Sequence, residues 1–241
     1  MQFDETIKSC NMKKITFIIT LIFLISSSYG QSSFGIQIEV GTSKLVGIST
    51  DTIVPYGYSG AKFSQKTNIF ISPSLRFRKM FSDKFFWESG IGYHSVSHNI
   101  QLDFYHSTKI DTTLNINLRY LTIPISLGYS LPVSKNSFIV SSLELNTNIL
   151  LSKSDNYEDI ILEEIAWVKR DWYSQFVFNP LISIAHQFQH SHRGRMELGF
   201  YVSTSVNPSI KDDEIWGFYE NLLSSRNLRY GVQFKYFLTT K

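Results

Sequence analysis

Cysteine is almost missing from this chain: Cys10 is the only one in 241 residues. It lies upstream of a segment expected to be removed on export, so the exported chain should hold no disulfide and no lipid-bearing cysteine. Charge is also scarce, with charged residues at 18% and a net charge of +3. No Lys/Arg cluster interleaves with aromatics, which argues against a nucleic-acid partner. Long apolar runs are missing after residue 30, and mean hydropathy is −0.07. That excludes a bundle of membrane helices, each of which needs about 20 apolar residues. Glycine-rich phosphate loops, metal-protease helices and nucleophile elbows are missing too. The sequence therefore offers no catalytic, cofactor-binding or metal set, and the expectation is a protein that is not an enzyme.

Residues 12–30 carry a local signal. Lys13 and Lys14 precede the apolar stretch Ile15–Ile25, and the small residues Ser28 and Gly30 follow. Positive start, short apolar core and small residues together describe a secretory signal peptide. Residues 1–30 are thus expected to be upstream residues plus a cleaved signal peptide. Met12 competes with Met1 as the start, because residues 1–11 do not suit a signal peptide's beginning.

From residue 31 onward the abundant feature is alternation. Leu118–Leu131 places Leu121, Ile123, Ile125, Leu127, Tyr129 and Leu131 on one face. Tyr120, Thr122, Pro124, Ser126, Gly128 and Ser130 fall on the other. Period-2 alternation makes a strand with one apolar and one polar face, and this one is much longer than the usual five or six residues. A tilted strand crossing a bilayer needs that length. The theme recurs at Phe34–Val46, Thr67–Met80, Lys84–His98, Ser137–Leu151, Trp172–Gln189, Arg195–Asn207 and Asn227–Thr239, which makes eight strands. The connections 81–83, 132–136 and 190–194 are short, whereas 47–66, 99–114, 152–171 and 208–226 are long. Sorting of this kind predicts an all-β, eight-stranded, antiparallel up-and-down transmembrane barrel of outer-membrane type over 31–241. Short turns and both termini would be periplasmic. Phe81, Phe85, Phe86, Trp87, Tyr129, Phe138, Phe188, Tyr236 and Phe237 are expected to form an aromatic girdle at the short-turn end.

The strand YLTIPISLGYSL, the closing RYGVQFKYFL and the leader ending SYGQ resemble the outer membrane protein β-barrel domain family, of PorT-like kind. That resemblance implies a bacterial outer-membrane barrel, with a part in a protein-secretion or surface assembly as its narrower implication.

The alternation assigns an interior charge network of Glu39, Arg76, Arg78, Glu88, Glu144, Glu197, Arg229 and Lys235. Arg119 is a less regular member because it shares the outward phase of its strand. An eight-stranded lumen is just wide enough to be filled by side chains, so opposite charges there should pair into a plug. Leu121, Ile123, Ile125, Leu127, Phe200 and Phe234 are expected to face lipid. Two long loops, 155–167 and 211–223, carry apolar residues at near-helical spacing, in the first Tyr157, Ile161, Ile165 and, just past it, Val168. In the second, Ile215, Trp216, Phe218 and Tyr219 are candidates for an interaction surface. The partners implied are outer-membrane lipid, lipopolysaccharide and an envelope protein met through the long extracellular loops. Two alternatives stay open. A lipid-modifying enzyme could assemble His186, Ser183 and Ser191, and a soluble barrel could bind a small ligand. His190 and His192 could ligate a metal, although no third ligand is evident.

Overall fold

The computed structural model describes residues 31–46, 60–105, 109–156, 173–190, 194–209 and 226–239. The signal segment lies outside these residues, as do Ser191, His192 and the candidate loop residues Ile215, Trp216, Phe218 and Tyr219.

Nine strands make eight walls: β1 Ser32–Val46, β2 Gly60–Lys66, β3 Asn68–Met80, β4 Phe85–Tyr105, β5 Lys109–Ser134, β6 Ser137–Asp155, β7 Phe176–Gln189, β8 Gly194–Thr204 and β9 Arg226–Thr239. All pair antiparallel, β1 joins β9, and β4 pairs with both β3 and β5. The ring therefore closes and every wall has a partner on each side. Within the ring, closure pairs each wall on both sides and so leaves no free sheet edge there among the described residues, which a lipid environment demands.

β2 and β3 are two lengths of one wall, both paired to β4. The β3–β4 ladder stops at Ser74 opposite Gly92 and the β2–β4 ladder resumes at Lys66 opposite Asn99. Across the gap, side chains bridge the walls: Asn68 Nδ2 donates to the Ser97 carbonyl at 2.5 Å and Ser72 Oγ to the Tyr93 carbonyl at 3.0 Å.

The turns at 81–84 and 135–136 and the joined ends of β7 and β8, where the His190 amide bonds to Gly194, share one end with the start of β1 and the end of β9. The Met80 amide bonds to Gln31 there, and the Gln189 amide to Asn136. At the opposite end one expectation needs correcting. Residues 99–114 are not a long loop, because β4 runs to Tyr105 and β5 restarts at Lys109, paired throughout. The alternation of Ile100, Leu102 and Phe104, then Ile110, Thr112 and Leu114, simply continues into the hairpin. With β2 on its other flank, this hairpin forms a three-stranded extension beyond the last rung to β6, Ile116 opposite Asp155.

Side-chain burial is inverted relative to a soluble protein. The buried set is dominated by Ser, Asn, Gln, Glu, Arg and Lys, whereas the exposed large side chains are Phe, Ile, Leu and Val from every wall. Phe200 is 68% and Ile125 53% exposed. A soluble ligand-binding barrel would carry the opposite distribution, since water must wet its outer wall. The fold is thus a closed eight-stranded antiparallel barrel of outer-membrane type.

Candidate functional site

The alternation that turns apolar side chains outward turns the charged ones into the lumen, where they form stacked layers. The first layer, nearest the short turns, centres on Arg78 of β3, which is 1% exposed. Its Nη1 and Nη2 donate to the two carboxylate oxygens of Glu197 at 2.5 and 2.9 Å. Its Nε donates to Glu88 Oε1 at 2.6 Å, and Nη1 also reaches Gln187. Lys235 Nζ donates to the other Glu88 oxygen at 2.9 Å. The guanidinium lies over the rings of Phe86 and Phe237, 4.1 Å from each centroid. A planar, delocalised cation suits this combination of a bidentate carboxylate and two aromatic faces, which an ammonium could not match.

Those two rings revise the girdle. Phe86 and Phe237 are inward and fully buried, not members of an outer belt. Phe86 has room because Gly128 stands opposite it, where any Cβ would collide with the ring. Among the outer aromatics near the short turns, Phe81, Phe85 and Tyr129 are linked at 6.1 and 4.9 Å and Phe188 lies 4.0 Å from the His186 ring, while Trp87, Phe138 and Tyr236 are half-buried.

The second layer centres on Arg76, whose Nη1 and Nη2 donate to Glu144 at 2.8 and 3.1 Å. Arg76 also lies 3.9 Å from Glu39, which accepts from Gln37 Nε2 at 2.6 Å. In both layers the arginine comes from β3 and its bidentate partner from β6 or β8, neither of which neighbours β3 in the ring. The ion pairs are therefore chords across the lumen that brace distant walls. Thr122–Asn148 and Ser142–Ser183, each at 2.7 Å, add polar rungs between adjacent walls. Side chains occupy the space a channel would need.

The structure thus brings together seven of the eight charges assigned to the interior. Arg229 is buried in a third layer, further from the short turns, and among the described residues it has no carboxylate within ion-pair distance. Its Nη1 bonds to His94 Nε2 at 3.0 Å instead. Arg119 is exposed on the outer face; its phase, not its charge, decides the side it takes. Ile123, Ile125, Leu127 and Phe200 are exposed on that face, with Leu121 and Phe234 half-buried beside them. Phe86 and Phe237, expected in the girdle, and Gln187, His94, Tyr120 and Tyr201, which sequence reasoning left out of the interior network, are lumenal. Their even or odd phase was the available signal.

The candidate enzyme site does not assemble from the described residues. His186 points outward and bonds Ser137 Oγ at 2.5 Å, whereas Ser183 points inward to Ser142. Adjacent-phase residues on one strand cannot act on one substrate, so this pair forms no nucleophile and base.

A cavity of about 360 Å³ opens at the short-turn end, lined by Gln31, Asp83, Phe138, Gln187 and Arg195 among others. Gln187 touches Arg78, so this vestibule ends on the first charge layer.

No family model and no curated protein matches the chain. Among solved structures, the outer membrane protein OprG from Pseudomonas aeruginosa is similar at 14% identity and a TM-score of 0.43, covering 88% of this chain and 95% of that one. Neisserial surface protein A is similar at 8% identity and 0.42, covering 85% and 95%. Ail, the attachment invasion locus protein of Yersinia pestis, is similar at 6% identity and 0.40, covering 88% and 100%. The likeness is one of broad outline.

Proposed function

We propose that this protein is an outer-membrane barrel with a structural or interaction role in the bacterial envelope. The observation that carries the reading is the inverted burial: an apolar outer wall around a lumen braced shut by ion-paired chords. The wall suits lipid and the braced lumen does not suit a diffusion pore. In this reading the signal peptide is cleaved, both termini face the periplasm, and the long-loop end meets lipopolysaccharide and the exterior. The three-stranded extension of β2, β4 and β5 supports the interaction role, because it projects backbone beyond what the ring requires. A part in a PorT-like secretion or surface assembly is the narrower form of the proposal, and its partner would be an envelope protein.

Ile215, Trp216, Phe218 and Tyr219 are the residues proposed to contact that partner. The test is cross-linking in native membranes with the full chain and with a chain lacking Lys211–Leu223. The deleted chain should keep heat-modifiable migration and outer-membrane fractionation but lose the co-purifying protein. Loss of neither would place the contact elsewhere. Loss of fractionation in the full chain would end the membrane reading itself.

A further inference from the structure

We propose that Gln31 is a modification site: once the leader is removed, its α-amine closes on its own side-chain amide to give a pyroglutamate, with Arg195 assisting the closure. The proposal rests on the cleaved-leader reading above, in which Gln31 is the first residue of the exported chain. Ser28 and Gly30 precede it at the spacing of a cleavage site. Gln31 sits at the short-turn rim, just before β1, and is held there by both its backbone and its side chain. Its carbonyl accepts from the Met80 amide at 3.0 Å, and its Oε1 accepts from Arg195 Nη2 at 2.7 Å. Gln31 and Arg195 both line the vestibule of about 360 Å³.

The contact with Arg195 is long-range. Arg195 lies at the start of β8, and β9 stands between β8 and β1 in the ring. Its rung partner on β9 is Phe237, which pairs in turn with Gly35 of β1. The guanidinium therefore reaches past one wall to take the amide oxygen of a residue 164 positions away in the chain. A hydrogen bond from a cation is stronger than a neutral one. Here it draws electron density off the Gln31 amide and leaves Cδ more open to attack.

An N-terminal glutamine carries nucleophile and electrophile on one residue, spaced for a five-membered ring, so the reaction is intramolecular. An α-amine has an ordinary pKa of about 7.7–8.0 and is partly neutral, hence nucleophilic, near pH 7. A guanidinium bound to the same residue disfavours a second cation and raises that neutral fraction. The amine nitrogen bonds to Cδ, negative charge develops on Oε1 against Arg195 Nη2, and the Cδ–Nε2 bond breaks. One amine proton passes to the departing nitrogen, which leaves as ammonia through the open vestibule. The closure needs no oxidant, reductant or second substrate. The former Oε1 becomes the lactam oxygen, so its bond to Arg195 outlasts the reaction while the terminal charge is lost. The rim thus gains a neutral cap beside Arg195 in place of a second cation.

The test is mass analysis of the N-terminal peptide of the barrel purified from outer membranes. The expected peptide begins at residue 31 and is lighter than its sequence by one ammonia. A peptide beginning at Gln31 with a free amine would overturn the proposal and leave the leader reading standing, whereas a retained leader would overturn both. Gln31→Asn keeps an amide but would need a four-membered ring, so it should keep its amine. The part assigned to Arg195 is read from the mature chain, given a free Gln31 amine by removal of a tag and refolded into vesicles. Ammonia loss from Arg195→Met should be on the order of tenfold slower than from the parent, a smaller factor than a water-excluded oxyanion donor supplies. Arg195→Lys should restore part of the rate. Heat-modifiable migration checks folding, and the folded parent should also cyclise faster than the same chain in urea, which decides the matter if Arg195→Met does not fold. Equal rates throughout would overturn the part given to Arg195.

Discussion

Arg78 shows at the scale of one residue how the lumen is held. It satisfies Glu197 through a two-pronged contact, shares Glu88 with Lys235, and fills the space between Phe86 and Phe237. Removing one partner of a buried ion pair leaves the other charged and unpaired, which typically costs about 3–5 kcal/mol. Arg78→Met should therefore lower barrel stability by that amount, read from the urea midpoint of refolding into lipid vesicles. Adding Glu197→Gln should recover part of the loss, because the stranded carboxylate disappears. A double variant no more stable than the single one would show that the pairing is not what Arg78 contributes. Neither Phe86 nor Phe237 was legible as a lumenal residue. Each stands next to an outward aromatic or apolar residue near the short turns, and a cluster of rings there reads as a belt until phase is counted strictly. The chord partners were equally hidden, because which acid meets which arginine depends on the width and stagger of the closed ring.

At the scale of the element, β5 carries the plainest message. Its even positions from Ile116 to Ser130 are buried and its odd positions face outward, with no change of phase where β6 bulges opposite Arg119 and Tyr120. Alternation in the sequence was enough to read this wall and its lipid-facing set, because the period of a strand does not depend on its neighbours. The ends were harder. The hairpin 99–114 was read as a loop, since polar residues such as Asn99, Gln101, Asp103 and Asp111 mask an alternation that persists beneath them. Depth along the strand makes a measurable difference on the outer wall. Ile125→Arg, midway along the apolar face, should cost about 2–4 kcal/mol, whereas Leu151→Arg, at the long-loop end of its strand, should cost about 0–1 kcal/mol. Paired unfolding curves in vesicles check this, and equal costs would mean that no hydrocarbon layer surrounds the wall.

At the scale of the whole molecule, eight walls, a polar interior and an apolar exterior form a single design. A small barrel has too little room for a water-filled pore, so its lumen is filled by charges that must pair. Pairing across the ring rigidifies the wall, and a rigid wall can carry an extension at one rim. In the third layer Arg229 meets His94 and Ser203 rather than a carboxylate at ion-pair distance among the described residues.

The claim on which the rest depends is that odd positions of β5 face lipid and even positions face a filled lumen. Spin labels at single cysteines introduced at positions 121 to 127, in a Cys10→Ser chain reconstituted in vesicles, test it directly. Labels at Leu121, Ile123, Ile125 and Leu127 should be strongly relaxed by lipid-soluble oxygen. Labels at Thr122, Pro124 and Ser126 should be shielded from oxygen and from an aqueous nickel chelate alike. Accessibility to the nickel chelate at the even positions would mean an open channel, and loss of the alternation would mean that β5 is not a membrane wall.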